Sequence, residues 1–223
     1  MCGRFTQHLS WAELHRLAGL IGKPRNLPPR YNIAPTTEIE ALRAVEGGAE
    51  LVPMRWGLVP YWWSKPLAEL PATCNARAET LAERPMFRGA FKARRCVIPA
   101  SGFYEWTGLK GRRTPHYFSS PSGAPLALAG LWERWRGPEG ADVLSATIVV
   151  GPASRWMSAY HDRMPIILDW SAAGEWMAGA HPTELLSPAQ DAALREWVVS
   201  PRVNRSGAGD DDAALIEAIE TAA

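Results

Sequence analysis

The spacing of apolar residues along the chain changes period several times, and each change marks an element. Ser10 and Glu13 have the spacing of a capping box, and Trp11, Leu14, Leu17 and Ala18 then fall on one face. That pattern predicts a helix over residues 10–21, ended in a loop by Pro24, Pro28 and Pro29. Runs at 39–45 and 51–56, joined across Gly47 and Gly48, predict a hairpin. Residues 76–94 have helix-forming composition, broken at Pro85 and Gly89. Strand-like runs follow at 96–98, 103–106, 116–118, 126–132 and 143–150, separated by Gly and Pro turns, with another at 165–168. Helices are expected at 171–177 and at about 210–220, the latter with acids at its positive end. No repeat, low-complexity stretch or linker interrupts the pattern. The sum is an α+β fold: a single domain over residues 1–223 with a mostly antiparallel, barrel-like twisted sheet and surrounding helices.

Composition narrows the class. Of 223 residues, 47% are hydrophobic and 21% charged, as in soluble globular proteins. No apolar run approaches the roughly 18 to 20 residues of a membrane span, and no secretory signal pattern opens the chain. Three cysteines (Cys2, Cys74 and Cys96) form neither an even disulfide framework nor a C-x-x-C pair, so a reduced cytoplasm is expected; a monomer is expected as well. Cys74 and Cys96 have small or apolar neighbours and read as buried and inert, and the cysteines lack zinc-ligand spacing. The net charge of +1 hides a local asymmetry: residues 77–95 carry six basic side chains against two acidic ones. Such a stretch is a solvated face unless other features direct a phosphate to it.

Cys2 has a chemistry that no internal cysteine shares. Trimming of Met1 would leave an amine and a thiol on adjacent carbons. The amine condenses with an aldehyde to an imine, and the sulfur then closes a five-membered thiazolidine ring. Both groups react near neutrality, with reference pKa values of about 7.7–8.0 and about 8.5. Taken alone, a cysteine in second position is weak evidence, and an incidental residue is the simpler reading.

The blocks around it carry more. Met1-Cys2-Gly3-Arg4-Phe5 is followed by Tyr31-Asn32-Ile33-Ala34-Pro35 and by Arg55-Trp56-Gly57-Leu58-Val59-Pro60-Tyr61-Trp62. Asn75-Ala76-Arg77-Ala78-Glu79-Thr80 comes next, then Arg95-Cys96 running into Gly102-Phe103-Tyr104-Glu105-Trp106. His161-Asp162-Arg163-Met164-Pro165 and Val203-Asn204 complete the series. This ordered set, over residues 1 to about 205, resembles the SOS-response-associated peptidase (SRAP) family, whose members shield abasic sites. The resemblance implies an α+β barrel-like domain and a thiazolidine crosslink to the ring-opened sugar of an abasic site in single-stranded DNA, with no metal or organic cofactor. It assigns the chemistry to Cys2, Asn75, Glu105 and His161, and contacts with the DNA backbone to Arg4, Arg77 and Arg163. A replication-machinery partner is not legible.

Each residue also has a plainer reading. Asn75 opens an expected helix and suits an N-cap, or its neutral amide orients the amine or the sugar hydroxyl. Glu105 is either an exposed strand carboxylate or, desolvated by Tyr104 and Trp106, a proton shuttle. His161 is structural, or it protonates the sugar oxygen or holds a phosphate. Trp56, Trp62 and Trp63 are core residues or stacking platforms for bases. Met86 could wedge where a base is missing, although Pro85 stands where relatives place a basic residue. Two other functions stay open: a cysteine peptidase with Cys2 as nucleophile and His161 as base, and a non-covalent single-stranded DNA-binding module.

Overall fold

The computed structural model of the chain describes residues 2–109, 111–179, 182–187, 194–205 and 209–219. The chain opens with a short strand, β1 (Phe5–Gln7), and a helix, α1 (Trp11–Ala18), followed by β2 (Arg30–Ile33), β3 (Glu38–Val45) and β4 (Gly48–Trp56). After β5 (Asn75–Arg77) and α2 (Arg88–Ala93) come β6 (Arg95–Ala100), β7 (Gly102–Thr107), β8 (Thr114–Ser119), β9 (Leu126–Arg136) and β10 (Asp142–Pro152). Short strands β11 (Arg163–Pro165) and β12 (Ile167–Leu168), helix α3 (Ala173–Ala178) and β13 (Arg195–Val198) complete the set.

Strands β4, β3, β6, β9 and β10 pair in that order, and β10 pairs with both β9 and β4, which closes a five-stranded barrel. Every pair around it is antiparallel except β10 with β4. A second, wholly antiparallel sheet runs β13-β8-β7-β1-β2. The expected fold class therefore holds, with the barrel closed and a second sheet added.

Period-two alternation explains how the layers share cores. Along β10, Ala146, Ile148 and Val150 join one apolar cluster and Val149 another. Phe103 and Phe118, on β7 and β8, join that first cluster, while Tyr104 and Tyr117 join a third. The first cluster thus lies between the barrel and the second sheet, and Cys2 is part of it. Helices α1, α2 and α3 pack on the outside of the barrel through Leu14, Phe91 and Trp176. The C-terminal segment covers the outer face of the second sheet with Val199, Val203 and Leu215.

Trp56 resolves as core: it is fully buried, its ring meets Phe5 edge-on at 4.9 Å, and its indole N–H donates to the Cys74 carbonyl at 2.9 Å. Trp56→Ala should cost about 3–5 kcal/mol through the cavity it leaves. Chemical denaturation, read as a shift in midpoint at unchanged slope, measures this.

Local signals predicted some boundaries well and others poorly. The Ser10 hydroxyl caps α1 by accepting from the Glu13 N–H. Gly19, at φ 60° and ψ 48°, ends the helix in the left-handed conformation, before the prolines and three residues short of position 21. The helix expected over 76–94 is instead β5, a 3₁₀ turn at Ala78–Thr80, and α2, which contains Gly89. Backbone pairing of Asn75–Arg77 with Ile148–Val150 outweighs helix propensity there. The C-terminal helix shrinks to one 3₁₀ turn, Ala213–Ile216, capped by Asp212, and residue 220 lies outside the described residues.

Candidate active site

Cys2 sits just ahead of β1, with its side chain buried and its thiol 3.8 Å from the Arg4 carbonyl. The Asn75 side-chain amide donates to the Cys2 carbonyl at 2.9 Å and lies 3.5 Å from the Cys74 sulfur. Asn75 is therefore the first residue of a strand facing Cys2, rather than a helix N-cap. Its Oδ1 is buried and has no hydrogen-bond partner among the described residues. Parallel pairing fixes this geometry, because Ile148 on β10 stands opposite Asn75 and donates its N–H to the Cys74 carbonyl. Cys74 is half-buried and adjoins Asn75, so it belongs to the site's surroundings, whereas Cys96 is fully buried, as expected.

Glu105 lies on β7 opposite His116 and is 3% exposed. Its parity matches Phe103, so it takes the inner face, toward the core that holds Cys2. Burial pushes its carboxyl up to about 7, with Asp162 also raising it and Arg113 lowering it. The flanking rings of Tyr104 and Trp106 have the opposite parity, so inner-face packing rather than those neighbours desolvates the carboxyl. Burial and then the Glu105 charge drive the Cys2 thiol well above its ordinary pKa. The two side chains thus share one low-dielectric pocket.

His161 follows a 3₁₀ turn (Met157–Ala159) between β10 and β11 and is half-buried. Its Nδ1 accepts the Arg163 N–H at 2.9 Å and lies 2.8 Å from an Asp162 carboxylate oxygen. Burial lowers the imidazole's pKa. In the neutral ring Nδ1 therefore takes the backbone hydrogen and Nε2 carries the proton, and on protonation Nδ1–H turns to Asp162. Arg163 itself forms an ion pair with Glu79, so a phosphate would have to displace that carboxylate. Arg77, at the end of β5, is exposed.

Arg4 is more enclosed than a simple phosphate contact. Its guanidinium donates to Asn32 Oδ1 and to the Val203 carbonyl, which ties the N-terminus to the C-terminal segment. It also lines a cleft of about 720 Å³ with Gly3, Trp106, Arg112, Arg113 and Asn204. Trp106 donates its indole N–H to Asn204 Oδ1 at 2.7 Å. The sequence reading missed Arg112 and Arg113. Their signal was two adjacent arginines in the glycine-flanked turn between two strand runs. Trp62 is 46% exposed, with its ring 6.3 Å from that of Trp63, whose carbonyl accepts from Trp135. Met86 is half-buried in the turn before α2. Among the described residues, no ring contact or hydrogen bond joins these three to Cys2, Asn75, Glu105 or His161. Among the described residues, no three His, Cys, Asp or Glu side chains gather as metal ligands would.

The chain belongs to the SOS response associated peptidase (SRAP) family, whose model matches residues 1–206. It is 34% identical over 215 residues to the abasic site processing protein YoqW of Bacillus subtilis, covering 92% of this chain and 94% of that one. It is 33% identical over 184 residues to the abasic site processing protein YedK of Escherichia coli, covering 79% of each. Identity to the abasic site processing protein HMCES of Mus musculus is 31% over 260 residues, covering 92% of this chain and 73% of that one. Among solved structures, a protein from Bacteroides thetaiotaomicron matches with a TM-score of 0.78 at 21% identity, over 86% of each chain. A protein from Bordetella bronchiseptica matches at 0.77 and 27% identity, over 89% of this chain and 100% of that one.

Proposed function

We propose that this chain acts in the DNA-damage response by binding single-stranded DNA at an abasic site and bonding to the lesion through Cys2 after Met1 is removed. The observation that carries this reading is the placement of Cys2: Asn75 holds its carbonyl at 2.9 Å, and its thiol is close enough to the raised Glu105 carboxyl to be shifted by it. The names of the relatives point the same way.

In this mechanism the Cys2 amine adds to the aldehyde carbon of the ring-opened sugar, and one water leaves to give the imine. The sulfur then bonds to the same carbon, the C=N electron pair moves to nitrogen, and that nitrogen takes up the thiol proton. Net, protein and DNA join with loss of one water. The buried thiol stays protonated near neutrality, so ring closure needs a base beside it. A carboxyl with a pKa of about 7 protonates the departing water and then takes the thiol proton on to nitrogen. Asn75 Oδ1 is the acceptor available to the amine or to a sugar hydroxyl. His161 Nε2 serves the sugar oxygen, Arg77 and Arg163 meet phosphates, Trp62 offers a stacking face and Met86 a wedge.

The peptidase alternative needs a thiol of lowered pKa, and the surroundings of Cys2 push it the other way. Intact-mass measurement after mixing with an oligonucleotide holding one abasic site decides among the readings. We expect one adduct of protein plus oligonucleotide minus one water. Binding without any mass change would leave a non-covalent module, and sustained peptide cleavage without an adduct would leave a peptidase.

A further inference from the structure

The cleft beside the site contains two cations that the mechanism leaves unused. Arg112 and Arg113 stand exposed at the tip of the β7–β8 hairpin. Arg25, Arg43, Arg134 and Arg202 are each matched by a carboxylate. Arg112 and Arg113 have no such ion pair among the described residues. The turn that presents them is tightly built. The Arg112 N–H donates to the Leu109 carbonyl at 2.9 Å, and Gly108, at φ 88°, lies so close to the Arg112 carbonyl that a Cβ there would approach it to 2.8 Å.

We infer that this cleft is a subsite for the nucleotide next to the lesion, in which Arg112 and Arg113 grip a phosphate of the strand while Trp106 and Asn204 form the wall. The inference rests on the reading of the chain as a binder of abasic single-stranded DNA, and three observations carry it. Gly3 and Arg4 line the cleft, so a strand tethered at Cys2 runs directly into it. A volume of about 720 Å³ falls within the roughly 300–1,000 Å³ of ligand sites. Cations beside an aromatic face form the combination that holds single strands without reading their sequence, and Trp106 already has the Arg4 guanidinium 6.0 Å from its ring centre. The Arg113 charge also acts on the Glu105 carboxyl, lowering its pKa.

The test is the salt dependence of reversible binding, measured with an oligonucleotide carrying a tetrahydrofuran analogue that lacks the aldehyde. Each phosphate contact on a single strand contributes about 0.7 to the slope of log affinity against log salt. Arg112→Gln/Arg113→Gln should lower that slope by about 0.7, the value of one phosphate contact, while Arg112→Lys/Arg113→Lys keeps most of it. Arg16→Gln/Lys23→Gln removes the same charge from exposed positions elsewhere and should retain the wild-type slope. A wild-type slope in the Arg112→Gln/Arg113→Gln protein, or an equal loss in the control, overturns the subsite. Whether the wild-type protein forms an adduct with a true abasic oligonucleotide is read separately. Failure there removes the covalent mechanism, whereas an adduct with an unchanged slope removes only this inference.

Discussion

Cys2→Ala is expected to abolish the covalent adduct while reversible binding to the same oligonucleotide survives. Covalent capture needs an amine and a thiol on adjacent carbons, and alanine keeps only the amine. An imine can still form, but without sulfur it hydrolyses. Cys2→Ser should behave similarly, because a hydroxyl closes the ring poorly. On the proposed reading, affinity would come from phosphate and stacking contacts, which the thiol does not supply. Cys2 is buried in the central cluster, so the change also removes one packed atom. That deletion costs about 1 kcal/mol, too little to unfold a domain of this size. A thermal unfolding curve run beside the crosslinking assay therefore separates lost chemistry from lost fold. The amine is equally necessary, so a protein with uncleaved residues ahead of Cys2 should also fail to crosslink. If either protein forms an adduct of wild-type stability, the thiazolidine mechanism is wrong.

What the sequence made legible depends on whether a signal is local. The capping box at Ser10 and Glu13 and the turn at Gly47 are short-range features, and α1 and the β3–β4 hairpin formed where expected. The strands β1, β2, β5 and β13 are three or four residues long and went unseen, because partners distant in sequence define them. Asn75 shows the consequence for the site. Its composition suits a helix start, and only the pairing of β5 with β10, more than 70 positions away, turns its amide toward Cys2. Glu105 was placed on a strand correctly, but its face follows from which sheet lies beneath it, and the sequence does not specify that. The resemblance supplied the candidate residues, and the fold supplied their environment. Arg112 and Arg113 lay outside every matched block, so only the cleft brought them into view.

Glu105→Gln tests that environment. The substitution keeps the shape of the side chain and removes its proton exchange, so crosslinking should slow by about 10²–10⁴-fold. The pH profile makes the assignment specific. In the wild-type protein the rate should rise as the Cys2 amine loses its proton, with a reference pKa of about 7.7–8.0. It should fall as Glu105 loses the proton that the departing water needs, at a pKa of about 7. The product is a bell with its top between the two. The Gln variant should keep the rising limb and lose the falling one. Asp162 and Arg113 act on the same carboxyl in opposite directions, so replacing either alone should move that limb without removing it. Stability should change in the opposite sense to rate. A carboxyl raised from 4.5 to about 7 binds its proton more tightly in the folded state. Its contribution is therefore complete below pH 4.5 and is lost as pH rises through about 7, a difference on the order of 3 kcal/mol. Glutamine does not titrate, so at pH 8 the variant should be the more stable protein and the slower one. Single-turnover crosslinking and denaturant unfolding at pH 5 and pH 8 read both effects. A variant that crosslinks at the wild-type rate would show that Glu105 does not exchange the proton, and one whose stability tracks the wild type across that range would show that burial does not raise its carboxyl.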